Sequence, residues 1–148
     1  MKKFILAMAA LTFSFGVMSA QDLASATATY NSGAEALTMG NKTSALEYFQ
    51  KALTMAESLG EEGAEVVTNC KNAIPSVILS IGKEYYNNKD FSNAKAKFVE
   101  AAEVAKKYGN EEVTAEVESL LPTVGKRIAL AKVNEAMKNK DIAGVLAG

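Results

Sequence analysis

The stretch from Ala45 to Gly60, "ALEYFQKALTMAESLG", returns 49 residues later, from Ala94 to Gly109, as "AKAKFVEAAEVAKKYG". Five positions are identical: Ala45/Ala94, Phe49/Phe98, Ala52/Ala101, Ala56/Ala105 and Gly60/Gly109. Their spacing of 4, 3, 4 and 4 is the recurrence of one helical face, and the closing glycine suits the left-handed position past a helix end. Leu53/Ala102, Met55/Val104 and Leu59/Tyr108 stay apolar or aromatic, with Glu, Lys, Gln, Ser and Thr between them. Each copy therefore reads as an amphipathic helix of about four to five turns. One helical hairpin cannot bury its own apolar side, so a chain that repeats the unit must stack its copies.

The punctuation repeats as well. "MGNKTSA" (Met39 to Ala45) and "NNKDFSNA" (Asn87 to Ala94) put Asn41 and Asp90 at matching positions. A short side-chain oxygen there can accept from the free N–H groups that open the next helix. "KNKDIAGV" (Lys138 to Val145) offers a third restart, with Asp141 in that role. Upstream of each lies another apolar-periodic segment: Leu23 to Met39, Ile74 to Tyr86 and Ile128 to Met137. Pro75 and Pro122 lie 47 residues apart, each inside a helical pattern, and predict long kinked helices from Glu62 to about Asn88 and from Glu111 to about Asn139. No run alternates apolar and polar with β-branched enrichment, so a regular sheet is not expected.

The first twenty residues read as something other than fold. Met1-Lys2-Lys3 is a positive start, Phe4 to Met18 is apolar, and "SA" precedes Gln21. That is the pattern of a secretory signal peptide, with cleavage expected after Ala20. The apolar run is shorter than the roughly 20 residues a membrane-spanning helix needs, and Thr12 and Ser14 interrupt it. Without Lys2 and Lys3, 14 of the 16 basic side chains remain against 17 acidic ones, a net charge of −3. Such a balance is unlike the basic footprint of a nucleic-acid binder. Cys70 is the only cysteine, which excludes an internal disulfide and a multi-thiolate metal site, and among apolar neighbours it reads as a small core residue. With no lipid-attachment cysteine after the leader, the expected product is exported and soluble. A bacterial periplasm is the first choice, with secretion or outer-membrane association as alternatives.

These features together resemble the tetratricopeptide-repeat (TPR) family, in an exported bacterial type with long helices. That family has a small residue and an aromatic on the first helix, then A-x-x-x-F-x-x-A on the second, with a period of about 34 residues. Gly33 and Ala36 precede "ALEYFQKA" (Ala45 to Ala52), and Gly82 and Tyr85 precede "AKAKFVEA" (Ala94 to Ala101). The family's helix-ending proline is replaced by Glu57 and Lys106, and the period is 49, so each helix runs about two turns longer. The resemblance covers nearly all of Leu23 to Leu146. It implies an all-α fold of antiparallel helical hairpins stacked as a right-handed solenoid. Units are expected at about 22–60, 62–109 and 111–148, the last incomplete, after a signal peptide at 1–20. In this reading Gly33, Ala45 and Ala52 let helix backbones approach, and Phe49 and Phe98 fill the gaps.

Little in the chain points to catalysis. There is no histidine, the commonest general base and a common metal ligand, and no Gly-rich phosphate loop. The paired carboxylates of "GEEG" (Gly60 to Gly63) and "NEEV" (Asn110 to Val113) open helices, where negative charge favours the macrodipole. The expectation is a protein that is not an enzyme and has no metal or cofactor.

Binding remains. In TPR proteins the first helix of each pair lines a groove that holds a partner segment. Carried over by register, this implies Tyr30, Ala34 and Leu37 in the first unit and Leu79, Lys83, Tyr86 and Asn87 in the second. In the third it implies Arg127, Leu130, Asn134, Met137 and Lys138. Tyr30 and Ala34 stand where a carboxylate-gripping member would carry Lys and Asn, which speaks against that mode. The mixed Tyr/Leu/Lys surface instead suits an extended or helical peptide with some acidic character, with Tyr and Arg as anchors. The function expected is a non-catalytic interaction module of the cell envelope with a protein or peptide partner. Nucleic acid and stable membrane insertion after signal cleavage are not expected. Three alternatives stay open. The apolar end at Ile142, Val145 and Leu146 could drive end-to-end self-assembly. The chain could be the front of a longer TPR protein. More weakly, a gap between long helices could carry an apolar ligand.

Overall fold

The computed structural model describes the backbone of residues 2–147 and the side chains of residues 20–140 and Gly144. The fold is all-α, with no strand among the described residues. Helix α1 spans Lys2–Thr38 and α2 spans Lys42–Glu57; a 3-10 turn at Gly60–Gly63 leads into α3, Ala64–Asn87. Helix α4 covers Phe91–Tyr108 and α5 covers Glu111–Ala147.

The boundaries fall where the punctuation puts them. The Asn41 side chain accepts from the Ser44 N–H and the Asp90 side chain from the Asn93 N–H, each at 3.2 Å, so both restarts are genuine N-caps. Gly109 ends α4 in the left-handed conformation at φ 71°, its N–H bonded to the Lys106 carbonyl, and Gly60 also has positive φ. Asn110 then opens α5 by accepting from the Val113 N–H at 3.0 Å. Glu111 and Glu112 sit in the first turn of α5, and Glu61 and Glu62 in the 3-10 turn. Helices α3 and α5 run through Pro75 and Pro122 without a break.

The third restart is not made. Helix α5 continues past Asp141 to Ala147, so no turn and no new hairpin begin there. Residues 142–148 contain neither an aromatic nor the Ala-x-x-x-Phe seam that gives α2 and α4 a face to bury. Within these residues a broken helix would gain no such packing to offset its lost backbone bonds. The side chains of residues 1–19 of the proposed leader and of Asp141, Ile142, Val145 and Leu146 lie outside the described residues.

The chain divides into two compact units, Met1–Val77 and Ile78–Gly148, with the division inside α3. In the first, α1 turns back on α2 through Met39, Gly40 and Asn41. Its core takes Ala26 from α1, the repeated Ala45, Phe49, Ala52 and Ala56 with Leu53 from α2, and Val66, Cys70, Ile74 and Val77 from α3. The 4, 4, 3 spacing of that last set is one helical stripe. In the second unit α4 packs on α5. Ile78 and Leu79, the repeated Ala94, Phe98, Ala101 and Ala105 with Ala102, and Val113, Val117 and Val124 make its core. All five repeated identities except the glycine are thus buried in both copies.

The small residues do what close packing requires. A Cβ on Gly33 would lie 2.7 Å from the Phe49 ring, and one on Gly82 would lie 2.7 Å from the Phe98 ring. Those glycines are themselves 49 residues apart, so the same glycine-on-phenylalanine contact is built twice.

Candidate functional site

Helix α3 ends because its last turn closes on itself. The Asn88 N–H donates to the Glu84 carbonyl, the Lys89 N–H to Tyr86 and the Asp90 N–H to Tyr85, at 2.9–3.0 Å. Closing that turn puts Lys89 at φ 63°, the one described non-glycine residue with positive φ. The matching position in the first unit, 49 residues earlier, is Gly40 at φ 81°. Asp90 then caps α4 and holds the chain reversal with a second bond, from Asn93 Nδ2 at 2.7 Å.

This reversal brings two rings together. Tyr86, on the last turn of α3, meets Phe91, the first residue of α4, edge to face, with ring centroids 5.3 Å apart and planes at 65°. Helix α5 sets Arg127, Leu130, Ala131 and Asn134 opposite them, at the 3, 1 and 3 spacing of one helical face. The result is an open cleft of about 440 Å³ lined by Tyr86, Asn87, Lys89, Phe91 and those four residues. Its lining holds two cations, Lys89 and Arg127, two amides, Asn87 and Asn134, and no carboxylate. Such a set can donate hydrogen bonds to an anionic group and cover an apolar side chain against the rings and Leu130.

Of the residues implied by register, the cleft gathers Tyr86, Asn87, Arg127, Leu130 and Asn134. The others lie elsewhere. Leu79 is a correction: it is only 4% exposed and belongs to the core, because the α3 face that carries it also carries buried Ile78 and Gly82. Lys83 is engaged in an ion pair with Glu116 at the surface and does not line the cleft. Met137 and Lys138 are exposed, farther along α5 than the cleft lining. In the first unit Tyr30 is half-buried, its ring 5.2 Å from that of Phe49, Ala34 is half-buried, and Leu37 is exposed.

Lys89 and Phe91 were not among the expected residues, which register confined to the first helix of each pair. A signal did exist in the repeat, which sets Lys89 against a glycine. Cys70 is fully buried, and its thiol is pushed up to about 11, first by burial and then by the nearby Glu57 carboxylate. A thiol so held is poorly nucleophilic.

Among the described residues no helix is long and apolar enough to cross a membrane. Comparison with protein-family models, with curated proteins and with solved structures finds no match to this chain.

Proposed function

We propose that the protein is a non-catalytic interaction module of the bacterial cell envelope. In this reading its helical hairpins stack in the manner of TPR units and a partner segment lies in the groove of the second unit. The observation that supports it is the cleft itself. Five residues implied by register, drawn from α3 and α5, line one concavity that offers hydrogen-bond donors, cations and aromatic surface together. The leader-like Met1 to Ala20 supports export to the periplasm.

Site-specific photo-crosslinking in producing cells tests the reading. A photoreactive side chain at Tyr86 or Asn134 should give discrete adducts with a second protein, and one at exposed Lys95 on α4 should not. Adducts of equal yield from all three positions, or from none, would remove the cleft as a docking site.

Self-assembly is the second reading, supported by Leu130, Val133 and Met137, each 53% exposed along α5. Light scattering over a range of concentrations separates the two. A mass that climbs with concentration favours assembly, and a constant monomer favours the module.

A further inference from the structure

The cleft continues along a largely basic stretch of α5. Residues 126–140 carry Lys126, Arg127, Lys132, Lys138 and Lys140 against a single carboxylate, Glu135, in a chain whose net charge is −1. Arg127, Asn134 and Lys138, spaced 7 and 4, share the helical side that lines the cleft, whereas Lys132 lies on the opposite side. Every residue from 129 to 140 is exposed. Leu130, Val133 and Met137 form an apolar stripe at helical spacing, with Arg127 and Asn134 along its edge. A basic amphipathic face suits either an acidic protein segment or an anionic lipid surface. The stripe holds no aromatic residue to seat in a headgroup layer, and the two rings present are folded into a concavity that a flat bilayer cannot enter.

Lys89 adds a second observation. Left-handed backbone is unfavourable for lysine, and the matching turn at Gly40 avoids that cost. Lys89 at that strained position puts an ammonium group at the cleft alongside the Arg127 guanidinium. We propose that the cleft and the 126–140 face of α5 form one surface for an acidic peptide segment with apolar anchors. Lys89 and Arg127 take its carboxylates, and Tyr86, Phe91 and Leu130 take an apolar side chain. Lys89 is the specificity-determining residue. This rests on the docking reading above and names the chemistry of its partner.

The probe is a dye-labelled peptide mixture of about twelve residues, long enough as a helix to follow about 18 Å of α5. Asp or Glu alternates in it with Leu, Phe, Val and Ala, and a second mixture replaces the acids with Asn and Gln. Fluorescence anisotropy against the full chain should show at least about tenfold tighter binding of the acidic mixture, weakening as salt rises. Lys89→Gly should weaken that binding by about tenfold while raising Tm by about 4 °C. Arg127→Gln should weaken binding at unchanged Tm, and Lys95→Gln should change neither.

Equal binding of both mixtures, with both cleft variants silent, would overturn the acidic specificity and leave the docking reading standing. A Lys89→Gly protein that is more stable yet binds as before would remove Lys89 from the site. Binding of neither mixture would overturn both readings. Binding only to phosphatidylglycerol vesicles would replace the peptide with a lipid surface.

Discussion

The α3 backbone at Gly82 lies directly against the ring of Phe98, so close that a Cβ there would fall 2.7 Å from two ring carbons. Glycine and phenylalanine act here as one fitted pair, the missing side chain of one making room for the other. Gly82→Ala should destabilise the protein by about 1–3 kcal/mol through overpacking, and Phe98→Ala by about 3–5 kcal/mol. The two losses should not add. Once the ring is gone, Gly82→Ala gains helix propensity of up to about 1 kcal/mol, and the closest remaining neighbour is the Lys97 Cβ at 3.2 Å, which has to give only slightly. Urea unfolding of the two single variants and the double variant measures this. Additive losses would mean that the contact is not the reason for the glycine.

Two other glycines should respond in opposite directions. A Cβ on Gly63 would collide with the backbone carbonyl of Ala56, which cannot rotate away, whereas Gly125 in α5 has open space around its Cβ position. Gly63→Ala should cost about 1–3 kcal/mol or more. Gly125→Ala should add about 0.5–1 kcal/mol. Thermal unfolding of the two variants side by side tests the pair.

Cys70 makes stability depend on alkaline pH. Its ordinary value of 9.0 rises to about 11 in the folded protein, so between those values the unfolded chain loses the thiol proton and the folded chain keeps it. The stabilisation is therefore complete below pH 9 and is lost as pH rises toward about 11, with a slope of at most about 1.4 kcal/mol per pH unit. The measurement is the difference in unfolding free energy between the wild type and Cys70→Ala, which isolates the thiol. That difference should narrow as pH rises through this window. A constant difference would show that the folded thiol titrates normally.

The Asp90 carboxylate holds the reversal beneath the cleft through two bonds, to the Asn93 N–H and to Asn93 Nδ2. Asp90→Ala should cost about 1–2 kcal/mol, and Asp90→Asn should recover most of it, since asparagine caps nearly as well. Amide hydrogen exchange should locate the loss of protection in the first turn of α4. Uniform loss across the chain would assign Asp90 a different role.

The proposed export would leave a chemical signature. Intact mass of the protein recovered from a periplasmic extract should correspond to a chain beginning at Gln21. Recovery only of chains that keep Met1 would remove the export reading.

Much of this fold follows from local pattern. The repeated alanines and phenylalanines are buried because their spacing keeps them on one side of a 3.6-residue helix, whatever that helix packs against. Asn41, Asp90 and Gly109 end or begin helices because capping involves groups within a few residues of one another. The lone cysteine lies on the helical stripe of Val66, Ile74 and Val77, and is a core residue for the same local reason. Tertiary structure decided the rest. Asp141 has the same local credentials as Asp90, yet α5 runs through it to Ala147, so a capping residue alone does not start a new helix. Leu79 lies in the core and Lys83 pairs with Glu116 because of what α3 meets across space, which helical register alone cannot specify. The cleft is of the same kind. Lys89 and Phe91 reach it through a chain reversal, and Arg127 and Asn134 come from some 40 residues away, so only packing could bring their chemistry together.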